Sequence, residues 1–430
     1  MDMYSGSLVV FGLMFLFLGV GVWMFVGFLL LSAVGLMVVV DMNVTRVGAI
    51  MSQVMWRSAS AWELSAIPLF ILMGDIIFHT DMAQRLFRGL SPWVNRIPGR
   101  LMHTNVVGCT LFSAICGSSV ATTATIAKIT VKELRQRGYD QNLALGSLAG
   151  AGTFGLMIPP SINMIIYGVI AEVSISRMFA AGIIPGILLA LFYSGYIVIR
   201  CVINPRLAPQ EDAPRRGQYL AALRDLAPIT LLIILILGSI YTGVATPSES
   251  AAMGLICTLV MVLVQRQLTL RVFITALMNT VKTSAMLLSL MAAASFMSAA
   301  MGYMHVPQEM SEAIAQLNLP PLGLILLLGV VYVILGCPLD GISMMVMSVP
   351  IVLPLVVSAG YDPIWFGIFL VVMAELGQLT PPVGFNLFVL QSATGYSMSR
   401  LARASFPFFV ITCLVGLLLA VFPDLVTWLP

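Results

Sequence analysis

Oxygen-bearing side chains gather beside glycine and proline at two places in this sequence. The first set is Gly117, Ser118, Ser119, Ser161 and Asn163. The second set is Asp340, Gly341, Ser343, Thr380, Gly384 and Asn386. Hydroxyl and amide oxygens, together with unpaired backbone carbonyls, suit Na⁺, and the N-termini of half-helices suit a carboxylate. The sequence therefore predicts two Na⁺ sites and no site for another metal.

Double prolines accompany both sets and predict breaks in the helices that carry them. These helix breaks are Pro159, Pro160, Pro381 and Pro382. A double proline or a hairpin tip leaves backbone groups unpaired, and lipid does not tolerate them. Such breaks must then face protein, water or bound ions. The alternative is that they are kinks in packed helices, but their occurrence in register at two places favours a site.

The elements that position these residues are transmembrane helices. The 430 residues are 60% hydrophobic and 9% charged, with a mean hydropathy of +1.02, whereas soluble domains contain about 25% charged residues. Apolar runs of about 20 residues recur, and each can span a hydrocarbon core of about 30 Å. We predict an all-α polytopic membrane protein in contact with lipid. The basic residues cluster at helix ends, and nothing in the sequence points to nucleic acid.

The second half of the chain repeats the first at an offset of 222 residues. Gly155 corresponds to Gly377, Pro185 to Pro407, and the Gly-Tyr-Asp corner at 138–140 to that at 360–362. The predicted divisions are a first repeat at 1–200 with a re-entrant hairpin at about 101–138, a linker at 201–225, and a second repeat at 226–430 with a hairpin at about 322–359. We expect five crossings and one re-entrant helical hairpin in each repeat.

The basic residues predict the orientation of these repeats. If residues 201–225 are cytoplasmic, most of the 21 Lys and Arg residues lie on the cytoplasmic side, as the positive-inside rule requires. Both termini are then periplasmic. An odd number of crossings inverts the second repeat relative to the first. Inverted repeats with paired broken helices are typical of secondary transporters, whose ion and substrate sites lie near the membrane midplane.

Five motifs resemble the large membrane subunit of tripartite ATP-independent periplasmic (TRAP) transporters. They are CGSSVATTATI, GLMIPPSINMIIYG, TGVATPSESAAMG, LDGISMMVMSVPIVLP and GQLTPPVGFNLFV. The resemblance implies Na⁺-driven import of a small organic acid across the bacterial cytoplasmic membrane, by an elevator mechanism with scaffold and transport domains. It also implies two partners: a small four-helix membrane subunit, which we expect to be a separate chain, and a periplasmic substrate-binding protein. The family usually has Ser-Gly-Ser at the first tip, where this chain has Cys116-Gly117-Ser118.

Several alternatives remain open from the sequence. A self-sufficient ion-coupled carrier of organic anions would share the inverted hairpins but need no binding protein. A channel or a structural scaffold would need no paired broken helices. Asp340 could cap the second hairpin arm instead of binding an ion, and Glu375 could order the break or pair within the bundle. The sequence contains no HExxH motif, Walker glycine loop or GxSxG elbow, so we do not expect an enzyme or an ATP-driven pump.

Overall fold

The computed structural model describes residues 12, 21–210, 216–315, 320–381 and 384–429, which form helices and loops without a strand. The first half contains α1 Met24–Val38, α2 Val44–Ala59, α3 Ala66–Phe78, α4 Met82–Val94, α5 His103–Cys116, α6 Ser119–Gln136, α7 Gln141–Gly152, α8 Ile162–Ile170 and α9 Ile175–Ile203. The second half contains α10 Arg216–Tyr241, α11 Pro247–Val264, α12 Leu270–Tyr303, α13 Val306–Ala315, α14 Pro321–Gly336, α15 Gly341–Ser358, α16 Pro363–Leu379, α17 Phe385–Thr394, α18 Met398–Val421 and α19 Asp424–Thr427. The all-α prediction is confirmed.

Several of these helices can cross a membrane. Within the described ranges, six are long and apolar enough by themselves: Ile175–Ile203, Gly217–Tyr241, Pro247–Val264, Leu270–Tyr303, Gly341–Ser358 and Met398–Val421. The pair Val44–Ala59 and Trp62–Phe78, which is bent by 54°, would make a seventh. The chain is therefore a multi-pass membrane protein.

The order of the helices follows the 222-residue offset. Helices α6 and α15 both have 18 residues, and they begin 222 residues apart. The same offset, to within four residues at the first residue, relates α1 to α11, α4 to α13, α5 to α14, α7 to α16, α8 to α17 and α9 to α18. Two helical hairpins, α5–α6 and α14–α15, occupy equivalent positions. This order is what an internal repeat predicts, and the inversion of one copy across the membrane remains a prediction.

One pair of equivalent segments differs in shape. The 34-residue helix α12 is continuous, whereas its counterpart is divided into α2 and α3. Pro68 lies in the first turn of α3. In a continuous helix its ring would clash with the carbonyl of Leu64 and remove one hydrogen bond, which favours a bend close to this point. Leu290 stands at the equivalent position of α12 and allows the helix to continue.

Helix packing divides the described part of the chain into two groups. The frame group, α1–α4 with α10–α12, packs mainly among its own members, and so does the hairpin group, α5–α9 with α14–α18. The groups meet closely where α3 passes the end of α5. A Cβ at Gly74 would lie 3.0 Å from the Cα of Cys116 and 3.4 Å from its Cβ. Both hairpins and both double-proline segments belong to the hairpin group.

The segment predicted as a linker, 201–225, is helical at both ends. Helix α9 continues to Ile203 and α10 begins at Arg216, while residues 211–215 lie outside the described ranges. The carboxylate of Asp225, on α10, lies 3.5 Å from the Nε of Arg85 and 3.7 Å from that of Arg88. Ion pairs with α4 and the good helix propensity of Arg and Gln explain why α10 begins before the apolar run.

Candidate ion and substrate site

The first hairpin tip lies directly on the first helix break. Helix α5 ends at Cys116. Gly117 caps it with a left-handed φ of 58°, and a Cβ there would lie 3.0 Å from the carbonyl oxygen of Pro160. The hydroxyl of Ser118 accepts the hydrogen bond of the Ala121 amide at 3.4 Å and caps α6. Gly155 packs on the other side of the tip, because a Cβ there would lie 2.4 Å from the amide nitrogen of Ser119. The tip and the break form one backbone unit.

The first break runs from the end of α7 to the start of α8. A 3₁₀ turn at Thr153–Gly155 leads to the double proline, and Ser161 precedes the first residue of α8. The Ser161 hydroxyl donates to the carbonyl of Leu156 at 2.6 Å, which leaves its oxygen lone pairs available to a cation. Asn163 is 2% exposed, and its Nδ2 has no hydrogen-bond partner in the described part of the chain.

The second hairpin tip is organised by Asp340. Its carboxylate accepts hydrogen bonds from the backbone amides of Ile342 at 3.1 Å and Ser343 at 3.4 Å, and from the Ser343 hydroxyl. This is the capping arrangement that the sequence left open as an alternative. The carboxylate still brings a negative charge to the tip, so its part in holding an ion remains a prediction. Gly341 follows, and a Cβ there would lie 3.1 Å from the Nδ2 of Asn163.

The second break brings backbone oxygens together. Helix α16 ends at Leu379, and the Thr380 hydroxyl donates to the carbonyl of Leu376 at 2.7 Å. Gly384 has a φ of 47°, and a Cβ there would lie 3.1 Å from the carbonyl oxygen of Thr380 and 3.3 Å from that of Gln378. Both carbonyls lie at a helix end, where intrahelical donors run out.

Two proline predictions at this break have different outcomes. Pro381 lies in the turn that follows α16. Proline has no amide hydrogen to donate, so it favours the end of the helix at this point. Pro382 lies outside the described residues. Upstream, Gly377 crosses Gly336 of α14 so closely that a Cβ on Gly336 would lie 2.6 Å from the Gly377 Cα. The second hairpin and the second break therefore meet through their backbones, as the first pair do.

Sequence reasoning missed three polar contacts between the halves. The hydroxyl of Ser119 donates to the Oε1 of Gln378 at 2.5 Å. The hydroxyl of Thr123 donates to the Oδ1 of Asn386, and the Nδ2 of Asn386 donates to the carbonyl of Ala149 at 2.7 Å. Thr123 and Gln378 lie away from the glycines and prolines that marked the site. Their only signal was a polar side chain inside an apolar span.

Charged side chains occur close to this site and at the boundary between the two groups. Glu375 is 0% exposed, and neither of its carboxylate oxygens has a hydrogen-bond partner among the described residues. Asp75 accepts a hydrogen bond from Asn279 at 3.1 Å within the frame group. The Nζ of Lys128, on the first hairpin, lies 4.9 Å from the centroid of the Phe78 ring of the frame group. Glu375 is thus a buried carboxylate on α16, the helix that leads to the second break.

Comparisons with known proteins agree on one family. Residues 11–425 match the family model described as "Tripartite ATP-independent periplasmic transporter, DctM component". The chain is 33% identical over 377 residues to the C4-dicarboxylate TRAP transporter large permease protein DctM of Pseudomonas aeruginosa, covering 87% of this chain and 86% of that protein. It is 30% identical over 382 residues to the sialic acid TRAP transporter large permease protein SiaM of Vibrio cholerae, covering 88% of each chain.

A solved structure supports the fold. The crystal structure of the Alcanivorax borkumensis YdaH transporter superposes with a TM-score of 0.67, covering 94% of this chain and 97% of that one. At 16% sequence identity the likeness concerns the fold alone. The family match over almost the whole chain, the large permease relatives and the paired hairpins and breaks lead to one conclusion: the chain belongs to the DctM family, the large permease components of TRAP transporters.

Proposed function

We propose that this chain imports a small organic acid into the bacterial cytoplasm by Na⁺-coupled elevator transport. The hairpin group would carry the ions and the substrate, and the frame group would be the scaffold against which it slides. A separate small four-helix membrane subunit and a periplasmic substrate-binding protein would complete the transporter. Membership of the DctM family supports transport with such partners. The coupling ion and the movement are our proposal.

The observation that carries this proposal is the buried amide of Asn163. It belongs to the first break but lies against Gly341 of the second tip, so it stands between the two candidate sites. Buried polar groups in proteins are nearly always hydrogen-bonded, and no group in the described part of the chain satisfies the Nδ2 of Asn163. A substrate carboxylate could accept this hydrogen bond, and the amide oxygen could face a cation. Either ligand would lie between the two hairpin tips.

Two cavities with charged side chains in their walls lie at the boundary of the groups, one on each predicted side of the membrane. One, of about 810 Å³, lies between α2, the start of α11 and the α8–α9 loop, and its wall includes Arg57 and Glu172. The other, of about 960 Å³, lies between α4, α6 and α10, and its wall includes Arg88 and Glu133. In the predicted orientation the first is periplasmic and the second cytoplasmic. Sliding of the hairpin group would expose its site to each in turn.

The relatives suggest the substrate class. Proteins 30–33% identical to this chain are named for C4-dicarboxylates, sialic acid, ectoine with 5-hydroxyectoine, and isethionate. Each of these solutes carries at least one carboxylate or sulfonate group. We therefore propose a small organic acid. Because the sequence identities to these relatives are nearly equal, they do not indicate which of these solutes the chain carries.

Uptake into proteoliposomes tests the proposal. A thermal-shift panel of succinate, sialic acid, ectoine and isethionate on the partner binding protein would first identify the substrate. Uptake by the chain with its small subunit should then collapse when external Na⁺ is replaced by K⁺ at constant pH. Equal uptake with a pH gradient alone would contradict Na⁺ coupling. Uptake that persists without the binding protein would favour a self-sufficient ion-coupled carrier of organic anions.

A further inference from the structure

We infer that Thr123 and Gln378 are positioning residues that couple the two Na⁺ sites to each other. Neither residue belongs to the set of oxygens proposed to hold ions. Each instead holds a member of the site in the opposite half of the chain. The inference rests on the proposed function, because it concerns how two ions bind together.

The first connection fixes the orientation of Ser119. This residue lies at the start of α6, beside the first tip, and is 3% exposed. Its hydroxyl donates to the Oε1 of Gln378, 2.5 Å away on α16 and 4% exposed. With its hydrogen committed to Gln378, the Ser119 oxygen can present only lone pairs elsewhere. A side chain near the second break therefore prepares an oxygen of the first site for a cation.

The second connection runs in the opposite direction. Thr123 lies one turn further along α6, is fully buried, and donates to the Oδ1 of Asn386 at the second break. The Nδ2 of Asn386 is fixed in turn by the carbonyl of Ala149, at 2.7 Å on α7. These two bonds orient the amide, and one lone pair of its oxygen remains available. Residues of the first half therefore prepare an oxygen of the second site.

The internal repeat shows that these bonds are not a by-product of its symmetry. The positions equivalent to Ser119 and Gln378 are Gly341 and Leu156, and a Cβ on Gly341 would lie 3.6 Å from the Leu156 Cδ1. The contact is thus present in both copies, but it is apolar in one. The position equivalent to Thr123 is Met345, which has no hydroxyl to donate. The two hydrogen bonds therefore do not follow from the repeat alone.

This arrangement makes binding at one site favour binding at the other. An ion that engages Ser119 holds α6 beside the end of α16, and Thr123 on the same helix α6 then stays aligned with Asn386 at the start of α17. A second ion then meets an oriented amide and loses less conformational freedom on binding. Removing one of these bonds should weaken the coupling by about two- to tenfold, the usual range for one hydrogen bond.

The test is radioactive sodium binding to the full chain in lipid nanodiscs, with Thr123→Val and Thr123→Ser. Valine keeps the shape of threonine without the hydroxyl, and serine keeps the hydroxyl. We expect Thr123→Val to raise the Na⁺ concentration for half-saturation by about two- to tenfold and to lower the Hill coefficient toward unity. Thr123→Ser should restore both. Gln378→Leu should reproduce the effect from the other bond.

The matched control is Thr412→Val. Thr412 is also buried, and its hydroxyl bonds to that of Tyr193 at 2.6 Å and to the carbonyl of Phe408, neither of which is an oxygen proposed to hold an ion. We expect this variant to lose thermal stability and keep the wild-type Hill coefficient. Wild-type sodium binding by Thr123→Val, or an equal loss of cooperativity in Thr412→Val, would overturn the inference. Absence of sodium binding by the wild-type chain would instead refute the proposed function, and the inference with it.

Discussion

Replacing Gly155 by alanine tests the contact between the first tip and the first break. The added Cβ would lie 2.4 Å from both the carbonyl carbon of Ser118 and the amide nitrogen of Ser119. Both are backbone atoms, so no flexible side chain can move aside. Carbon atoms in contact prefer about 3.5–4.0 Å. The tip must therefore move by roughly 1 Å away from Gly155, which changes its distance to the double proline.

The size of the effect follows from the cost of overpacking. One extra carbon in a well-packed interior costs about 1–3 kcal/mol. Binding an ion between the tip and the break requires the original separation, so much of this cost should appear as weaker binding. If all of it did, Na⁺ affinity at the first site would fall by about five- to 150-fold.

Radioactive sodium binding to purified Gly155→Ala, with Gly195→Ala as the control, measures this effect. Gly195 lies in α9, and a Cβ there would have no atom within 4 Å. The control should bind sodium like the wild type and should be slightly more stable, because alanine favours the helix over glycine by about 1 kcal/mol. Unchanged sodium affinity in Gly155→Ala would refute the location of the first site between Ser118 and the double proline.

Three further predictions concern the second tip and the topology. Gly336→Ala should lower the unfolding temperature, because its Cβ would lie 2.6 Å from the Gly377 Cα; an unchanged temperature would show that the crossing adjusts. Asp340→Asn should keep thermal stability but weaken sodium binding, since it retains a capping oxygen and loses the charge; unchanged binding would leave Asp340 as a cap only. Cysteine replacing Ala213 should be inaccessible to an impermeant thiol reagent added outside, whereas one replacing Ser5 should be labelled, and the reverse pattern would contradict the orientation.

The sequence predicted the helix order well because one pattern occurs twice. Glycine, proline and the Gly-Tyr-Asp corner mark helix ends through backbone geometry, which is local and readable. The repeat then allowed each half to support the interpretation of the other. The separation of α2 from α3 came from composition and not from the repeat: polar residues occupy 41–63 and an apolar span begins near Ala66, whereas the counterpart α12 is continuous. A difference between two copies is invisible to reasoning that relies on their likeness.

The site was only partly readable for a similar reason. Residues beside a tip or a break, such as Ser161 and Asn163, could be proposed as candidates because broken helices expose backbone groups. Thr123 and Gln378 could not be found, because their partners are 263 and 259 residues away in the chain. Their equivalents in the other copy are apolar. Their positions became clear only when the two halves were seen packed together.

Because α3 passes close to the end of α5, the native Cys116 is positioned to form a disulfide with a cysteine introduced into α3. A Gly74→Cys substitution would place its Cβ 3.4 Å from the Cβ of Cys116, close to the spacing of about 3.5–4.5 Å found in disulfides. Oxidation would then tie the frame group to the hairpin group by one covalent bond. Any sliding of one group past the other would part the two sulfur atoms, so the yield of cross-linked chain would report how often the protein occupies this arrangement.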